Sequence, residues 1–233
     1  MLKIKIFLDT ADLKVIKKNI NNKEISGFTT NPTLISKNNI NNYLQFAKEI
    51  TQITNKPLSL EVFSDDFKKM ETEAKILSKI SDNIFVKIPI VNSKGKSSAP
   101  LIKKLLEDKM KLNITAIFTI NQLIGLKKII KKNDQVILSV FCGRIMDSGI
   151  YPDKISKFAK TVFKNFKKVQ LLWASTREIY NLIQAKKLNY DIITIPPDIL
   201  SKKKFFNYNQ EKFSIDTVKS FLNDAKKSKL KII

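Results

Sequence analysis

The chain carries no histidine and a single cysteine, Cys142, which excludes a Ser/His/Asp triad, a Cys/His dyad, an internal disulfide and nearly every structural or hydrolytic zinc site. Any catalysis must run on carboxylates, lysine, hydroxyls and amides, and no metal or other cofactor is expected. Lys87 sits inside Phe85-Val86-Lys87-Ile88-Pro89. Apolar surroundings disfavour an ammonium ion and release a neutral amine that can attack a carbonyl, which is Schiff-base chemistry. Neighbouring carboxylates act in the opposite sense, so the sequence leaves the net effect open. Asp9 and Glu61 could supply the proton transfers that carbinolamine dehydration and carbon–carbon cleavage require. Arg144 and Arg177 are the only arginines, against 41 lysines. A guanidinium fork grips phosphate or carboxylate in a way an ammonium cannot, although two structural ion pairs would account for them equally well. The five glycines fall in no GxGxxG or GxxxxGK[ST] spacing, so phosphate-cradling glycine loops are absent.

These residues recur at one place in a repeating pattern. Short β-type runs begin at Lys3, Ser26, Leu58, Ile84, Lys111, Gln135, Val169 and Tyr190. Between them apolar residues fall three or four apart, as in Phe67, Met70, Ala74 and Leu77, or Ile155, Phe158, Val162 and Phe166, which predicts amphipathic helices. Strands separated by helices pair in parallel through right-handed crossovers, and eight such units in 233 residues fit a single α/β domain over residues 1–233, a closed (β/α)8 TIM barrel. An open doubly wound sheet is the alternative.

A parallel strand covered on both faces should be almost continuously apolar. Seven of the eight runs break this rule near their C-terminal ends: Asp9 in the first, Thr29, Thr30 and Asn31 in the second, Glu61 in the third, Lys87 in the fourth, Asn113 and Thr115 in the fifth, Ser139 in the sixth and Ser175 in the seventh. Period-two alternation sets Leu58, Leu60 and Val62 opposite Glu61, and Ile114 and Ala116 opposite Asn113 and Thr115, so the polar residues face the barrel axis. That is the active-site end of barrel enzymes. Singly, each has a plainer explanation: Asp9 could cap the helix near Asp12, Asn31 before Pro32 could start a helix, and Glu61 could simply pair with Lys87.

The net charge of +22 invites a nucleic-acid partner. The lysines are spread against it, eight in each of the first four blocks of fifty residues and nine in the last thirty-three. They sit on solvated helix faces, as at Lys154, Lys157, Lys160 and Lys164, so no nucleic-acid partner is expected. No window reaches the apolar length of a membrane span and the N-terminus lacks a signal-peptide pattern, so a cytoplasmic protein without membrane contact is expected.

Six segments, in order, resemble the transaldolase family, specifically its short-chain branch that includes fructose-6-phosphate aldolases: Phe7-Leu8-Asp9-Thr10-Ala11, Gly27-Phe28-Thr29-Thr30-Asn31-Pro32, Val86-Lys87-Ile88-Pro89, Leu112-Asn113-Ile114-Thr115, Ser139-Val140-Phe141-Cys142-Gly143-Arg144 and Trp173-Ala174-Ser175-Thr176-Arg177. The resemblance implies a metal-free mechanism in which Lys87 forms a Schiff base with a ketose phosphate and Asp9 takes the C4 hydroxyl proton. It implies that Glu61 and Thr115 hold the water that shuttles protons, that Asn31, Asn113 and Ser139 bind the retained dihydroxyacetone unit, and that Arg144, Ser175 and Arg177 bind the phosphate. The expected partners are sugar phosphates and further copies of the chain in a homo-oligomer. Val140 and Thr176 depart from the proline and the aromatic residue usual in the family. Glu61 and Phe141 stand where the aldolase branch carries Gln and Tyr, which favours transfer over release of free dihydroxyacetone. A basic scaffold for polyanions is the non-enzymatic alternative.

Overall fold

The computed structural model describes residues 4–229 and residue 232. Its first half runs β1 (Lys5–Asp9), α1 (Leu13–Asn19), β2 (Ile25–Thr29), α2 (Pro32–Lys37), α3 (Tyr43–Ile53), β3 (Leu58–Glu61), α4 (Phe67–Ser78), β4 (Ile84–Pro89) and α5 (Ala99–Glu107). It continues through β5 (Leu112–Ile117), α6 (Ile120–Ile129), β6 (Val136–Val140), α7 (Cys142–Asp147), α8 (Asp153–Phe163), β7 (Val169–Trp173) and α9 (Asn181–Lys187). The last elements are β8 (Ile192–Ile195), α10 (Pro197–Ser201) and α11 (Gln210–Lys227). The eight strands pair in parallel in chain order and β8 closes onto β1, which gives the (β/α)8 barrel and rules out the open sheet.

Strand starts fall within two residues of those expected from sequence, except that the first expected start, Lys3, lies outside the described residues. Tyr190 precedes β8 rather than opening it: its ring meets Trp173 edge to face and its hydroxyl bonds Cys142 Sγ and Ser156 Oγ. Phe166 lies beyond the end of α8, where it packs edge to face on Phe163. Helix starts follow local chemistry. Asp12 caps α1, Asn31 caps α2 and is followed by Pro32 at the first helical turn, and Thr119 with Gln122 forms a capping box on α6. The helix cap near β1 is therefore Asp12, and Asp9 is free of that task.

Alternation along the strands divides the barrel into layers. Ile6, Leu8, Leu60, Val86, Ile88, Ile114 and Leu138 belong to the large core between sheet and helices. Phe7, Ile137, Leu172, Ala174 and Ile192 form a separate apolar cluster with Phe85 and Phe141 against it, the filling of the barrel interior. One pleat step above Phe7, Phe85 and Ile137 come Asp9, Lys87 and Ser139, so the reactive layer rests on an apolar plug. No helix among the described residues is long and apolar enough to cross a membrane. At the other extreme of packing, α11 buries none of its residues and exposes Ile215, Val218, Phe221 and Leu222.

Candidate active site

A cavity of about 400 Å³ opens at the C-terminal ends of the strands. Its lining brings together all ten residues singled out by sequence: Asp9, Asn31, Glu61, Lys87, Asn113, Thr115, Ser139, Arg144, Ser175 and Arg177. Lys87 is its only lysine, and with 6% exposure it is the one buried lysine among the described residues. Register pairs Glu61 with Lys87 and Lys87 with Asn113, which sets carboxylate, amine and amide side by side on β3, β4 and β5. Lys87 Nζ lies 2.9 Å from Glu61 Oε2 and donates to the Thr30 carbonyl at 2.8 Å. The plain ion-pair reading of Glu61 and Lys87 is thus correct as geometry. A pair of this kind inside a cavity also keeps a proton donor and an acceptor beside one amine.

Asp9 accepts from Thr29 Oγ1 at 2.6 Å. Burial pushes its carboxyl above the usual range, against the opposing pull of Lys87 and of the Thr29 hydrogen bond, while Glu61 adds to the rise. A raised carboxyl suits a group that must take up a proton. Asn113 is locked on both sides, donating to Ser59 Oγ at 2.9 Å and accepting from Ser139 Oγ at 2.7 Å. Thr115 is buried, and among the described residues its hydroxyl has no hydrogen-bond partner. It sits in an irregularity of β5 next to Ala116, whose φ of 57° is left-handed, a bulge that re-aims the strand at the cavity. The Asn31 side-chain oxygen is occupied as the α2 cap, accepting from the Leu34 N–H at 3.0 Å, which leaves its amide hydrogens for a ligand.

The rim is built differently. Arg144 rides on the short helix α7, 5.8 Å over the Phe141 ring and exposed. Arg177 lies in the loop after β7, where its backbone N–H donates to the buried Asn181 side chain at 2.8 Å and its Nε and Nη2 reach Asp147 Oδ2 at 2.9 and 2.5 Å. This exposed pair spends one edge of the fork on Asp147, and the other edge has no partner among the described residues. Helix α7 and the loop after β7 meet at Gly143, whose N–H donates to the Ala174 carbonyl. A Cβ there would overlap the Ser175 carbonyl oxygen and lie 2.7 Å from its carbon, while Ser175 itself is left-handed at φ 62°. Only a glycine permits that approach. Thr176, one of the two departures from the family pattern, donates its hydroxyl to the Thr194 carbonyl at 2.6 Å.

Sequence reasoning assigned no role to Ser59, Thr29 or Thr194. Each is an inward hydroxyl whose partner stands on another strand, so only the pairing of strands reveals its place in the site. Among the described residues no group of three or more His, Cys, Asp or Glu side chains is arranged to hold a metal.

The family model described as transaldolase/fructose-6-phosphate aldolase matches residues 6–232. A probable transaldolase of Nitrosopumilus maritimus (strain SCM1) is 36% identical over 201 residues, 85% of this chain and 86% of the relative. One of Bartonella tribocorum (strain CIP 105476 / IBS 506) is 32% identical over 226 residues, 97% and 98% of the two chains. In fold the chain is similar to the crystal structure of orotidine 5'-monophosphate decarboxylase from Metallosphaera sedula, with a TM-score of 0.52 over 94% of this chain and 98% of that one. At 13% identity that likeness concerns the barrel alone. The chain belongs to the transaldolase/fructose-6-phosphate aldolase family.

Proposed function

We propose that this protein is a transaldolase that moves a dihydroxyacetone unit from a ketose phosphate, such as fructose 6-phosphate or sedoheptulose 7-phosphate, to an aldose phosphate through a Schiff base on Lys87. The observation that carries the reading is a buried lysine held between a carboxylate and a carbonyl at the floor of a polar cavity. Lys87 Nζ attacks the C2 carbonyl of the donor, and the carbinolamine loses water with Glu61 and the unpartnered Thr115 hydroxyl handling the proton and the water. Asp9 then takes the C4 hydroxyl proton as the C3–C4 bond breaks. The bonding pair flows into the iminium, the aldose phosphate leaves, and Lys87 carries an enamine until an acceptor aldehyde arrives. Asn31, Asn113 and Ser139 hold the retained three-carbon unit. Arg144, Ser175 and Arg177 hold the phosphate.

Release of free dihydroxyacetone is the competing outcome. Phe141 lines the cavity without a hydroxyl that could help water reach the enamine, which favours transfer. Borohydride added during incubation with fructose 6-phosphate should fix a sugar-derived mass on the peptide containing Lys87; labelling elsewhere, or none, would overturn the mechanism. Turnover of fructose 6-phosphate should be slow alone and much faster with erythrose 4-phosphate, and Phe141→Tyr should shift activity toward acceptor-independent cleavage. Equal rates with and without acceptor in the unmodified protein would establish the aldolase instead.

A further inference from the structure

Asp9 Oδ1 accepts from Thr29 Oγ1 at 2.6 Å, and Thr29 Oγ1 lies 2.5 Å from Thr194 Oγ1. The three groups stand on the adjoining strands β2, β1 and β8, all line the cavity, and both threonines are buried. Proton counting fixes the direction of the chain. A carboxylate only accepts, so the single Thr29 hydroxyl proton goes to Asp9, and the short contact to Thr194 is a hydrogen bond only if Thr194 donates to Thr29. Among the described residues the Thr194 hydroxyl has no other hydrogen-bond partner, so a proton placed on Oδ1 would reverse the chain and leave Thr194 donating to nothing. Asp9 Oδ2 has no such tie among the described residues.

We propose that Thr194 is a positioning residue: through Thr29 it holds Asp9 Oδ1 as a permanent acceptor and reserves Oδ2 for the substrate's proton. This rests on the assignment of Asp9 as the general base. In the cleavage step the proton of the C4 hydroxyl moves to Oδ2, the O–H electrons become the second bond of the leaving aldehyde, and the C3–C4 pair passes into the Schiff base. Hydrogen bonds that feed one another strengthen along a chain, so the distal hydroxyl matters although it touches no substrate. The other charged groups facing Asp9 are Lys87 on β4, which favours its ionised form, and Glu61 on β3, which opposes it.

The test is the pH dependence of kcat for transfer from fructose 6-phosphate to erythrose 4-phosphate, together with a direct titration of Asp9 by carboxyl 13C NMR in the unliganded protein. Thr29→Val should move the acid limb, and the Asp9 titration, to higher pH by about one unit, the worth of a hydrogen bond to a charged group. Thr194→Val should move both in the same direction by less, and Thr194→Ser, which restores a hydroxyl, should return them. If Thr194→Val does not accumulate folded, Thr194→Cys reads the same limb through a weaker donor. A Thr194→Val titration that superposes on the wild type, or shifts to lower pH, overturns the relay. Retained transfer in Asp9→Asn overturns the assignment of Asp9 as base and the relay's catalytic role with it, whereas loss in Asp9→Asn with no movement in Thr194→Val overturns the relay alone.

Discussion

The floor and the rim of the cavity solve the same problem by different means. On the floor, Lys87, Asn113 and Ser139 stand on the successive strands β4, β5 and β6 and Asp9 on β1, and each is fixed by at least one hydrogen bond or ion pair to another strand. Strand pairing alone sets their spacing. On the rim, Arg144 and Arg177 stand on a short helix and a loop, exposed, and their positions derive from a glycine contact, a left-handed serine and an acidic neighbour. The floor residues are therefore held by the fold, and the rim arginines by local backbone geometry that one substitution can undo.

That difference can be broken from the rim side first. Gly143→Ala forces the Ala174–Ser175 backbone away from α7 and displaces both arginines at once. It should cost about 10²-fold in kcat/KM for phosphorylated donors, as a displacement of about 1 Å does elsewhere, while Lys87 remains trappable by borohydride. Normal kinetics in this variant would show that the rim tolerates rearrangement.

Arg177→Lys keeps the charge and loses the fork. It should cost about 1 to 3 kcal/mol in transition-state terms and appear mainly as a raised KM for phosphorylated sugars. Because Asp147 occupies one edge of Arg177 and Arg144 has no carboxylate partner among the described residues, Arg144→Lys is the cleaner measure of phosphate binding alone. Unchanged kinetics in both would return Arg177 to a structural ion pair.

The smallest effect is on the floor and concerns stability. Asp9 has its folded-state carboxyl raised above the ordinary value by burial. The native state thus holds the proton more tightly, so the stabilising contribution of protonated Asp9 is full below the unfolded value and is lost as pH rises through the folded one. Above the unfolded value that contribution declines, so at neutral pH the acidic residue costs the fold stability. Asp9→Asn should therefore raise Tm at pH 7, with the gain vanishing under acidic conditions, while transfer activity is lost. A lower Tm at pH 7 would contradict the burial argument.

The floor was legible in sequence because period two turns a polar residue in an apolar run into an inward-facing group, and the same exception recurred on seven strands. Thr194 extends the pattern to β8, yet a single threonine in Ile192-Ile193-Thr194-Ile195 reads as an ordinary strand former. Ser59 was hidden for a similar reason, its hydroxyl having meaning only beside Asn113 on a strand two places away. The rim was legible only as residue types. The scarcity of arginine marked Arg144 and Arg177, but the Asp147 contact spans 30 residues through loops whose course no periodicity encodes. The fold itself was readable from the spacing of eight runs, with strand ends shifting by a residue or two where neighbouring side chains, such as Tyr190, take other work.

The meeting of Gly143 with Ser175 also sets a length. Arg144 follows one side of that contact and Arg177 lies two residues beyond the other, so the gap between the guanidinium groups is gauged by backbone against backbone rather than by side-chain packing. Lengthening the chain on either side alone would change the gauge and with it the spacing of the two guanidinium groups. The loops after β6 and β7 are therefore expected to vary as a pair, and a designer seeking a larger or smaller anion must regraft both together while the barrel floor stays as it is.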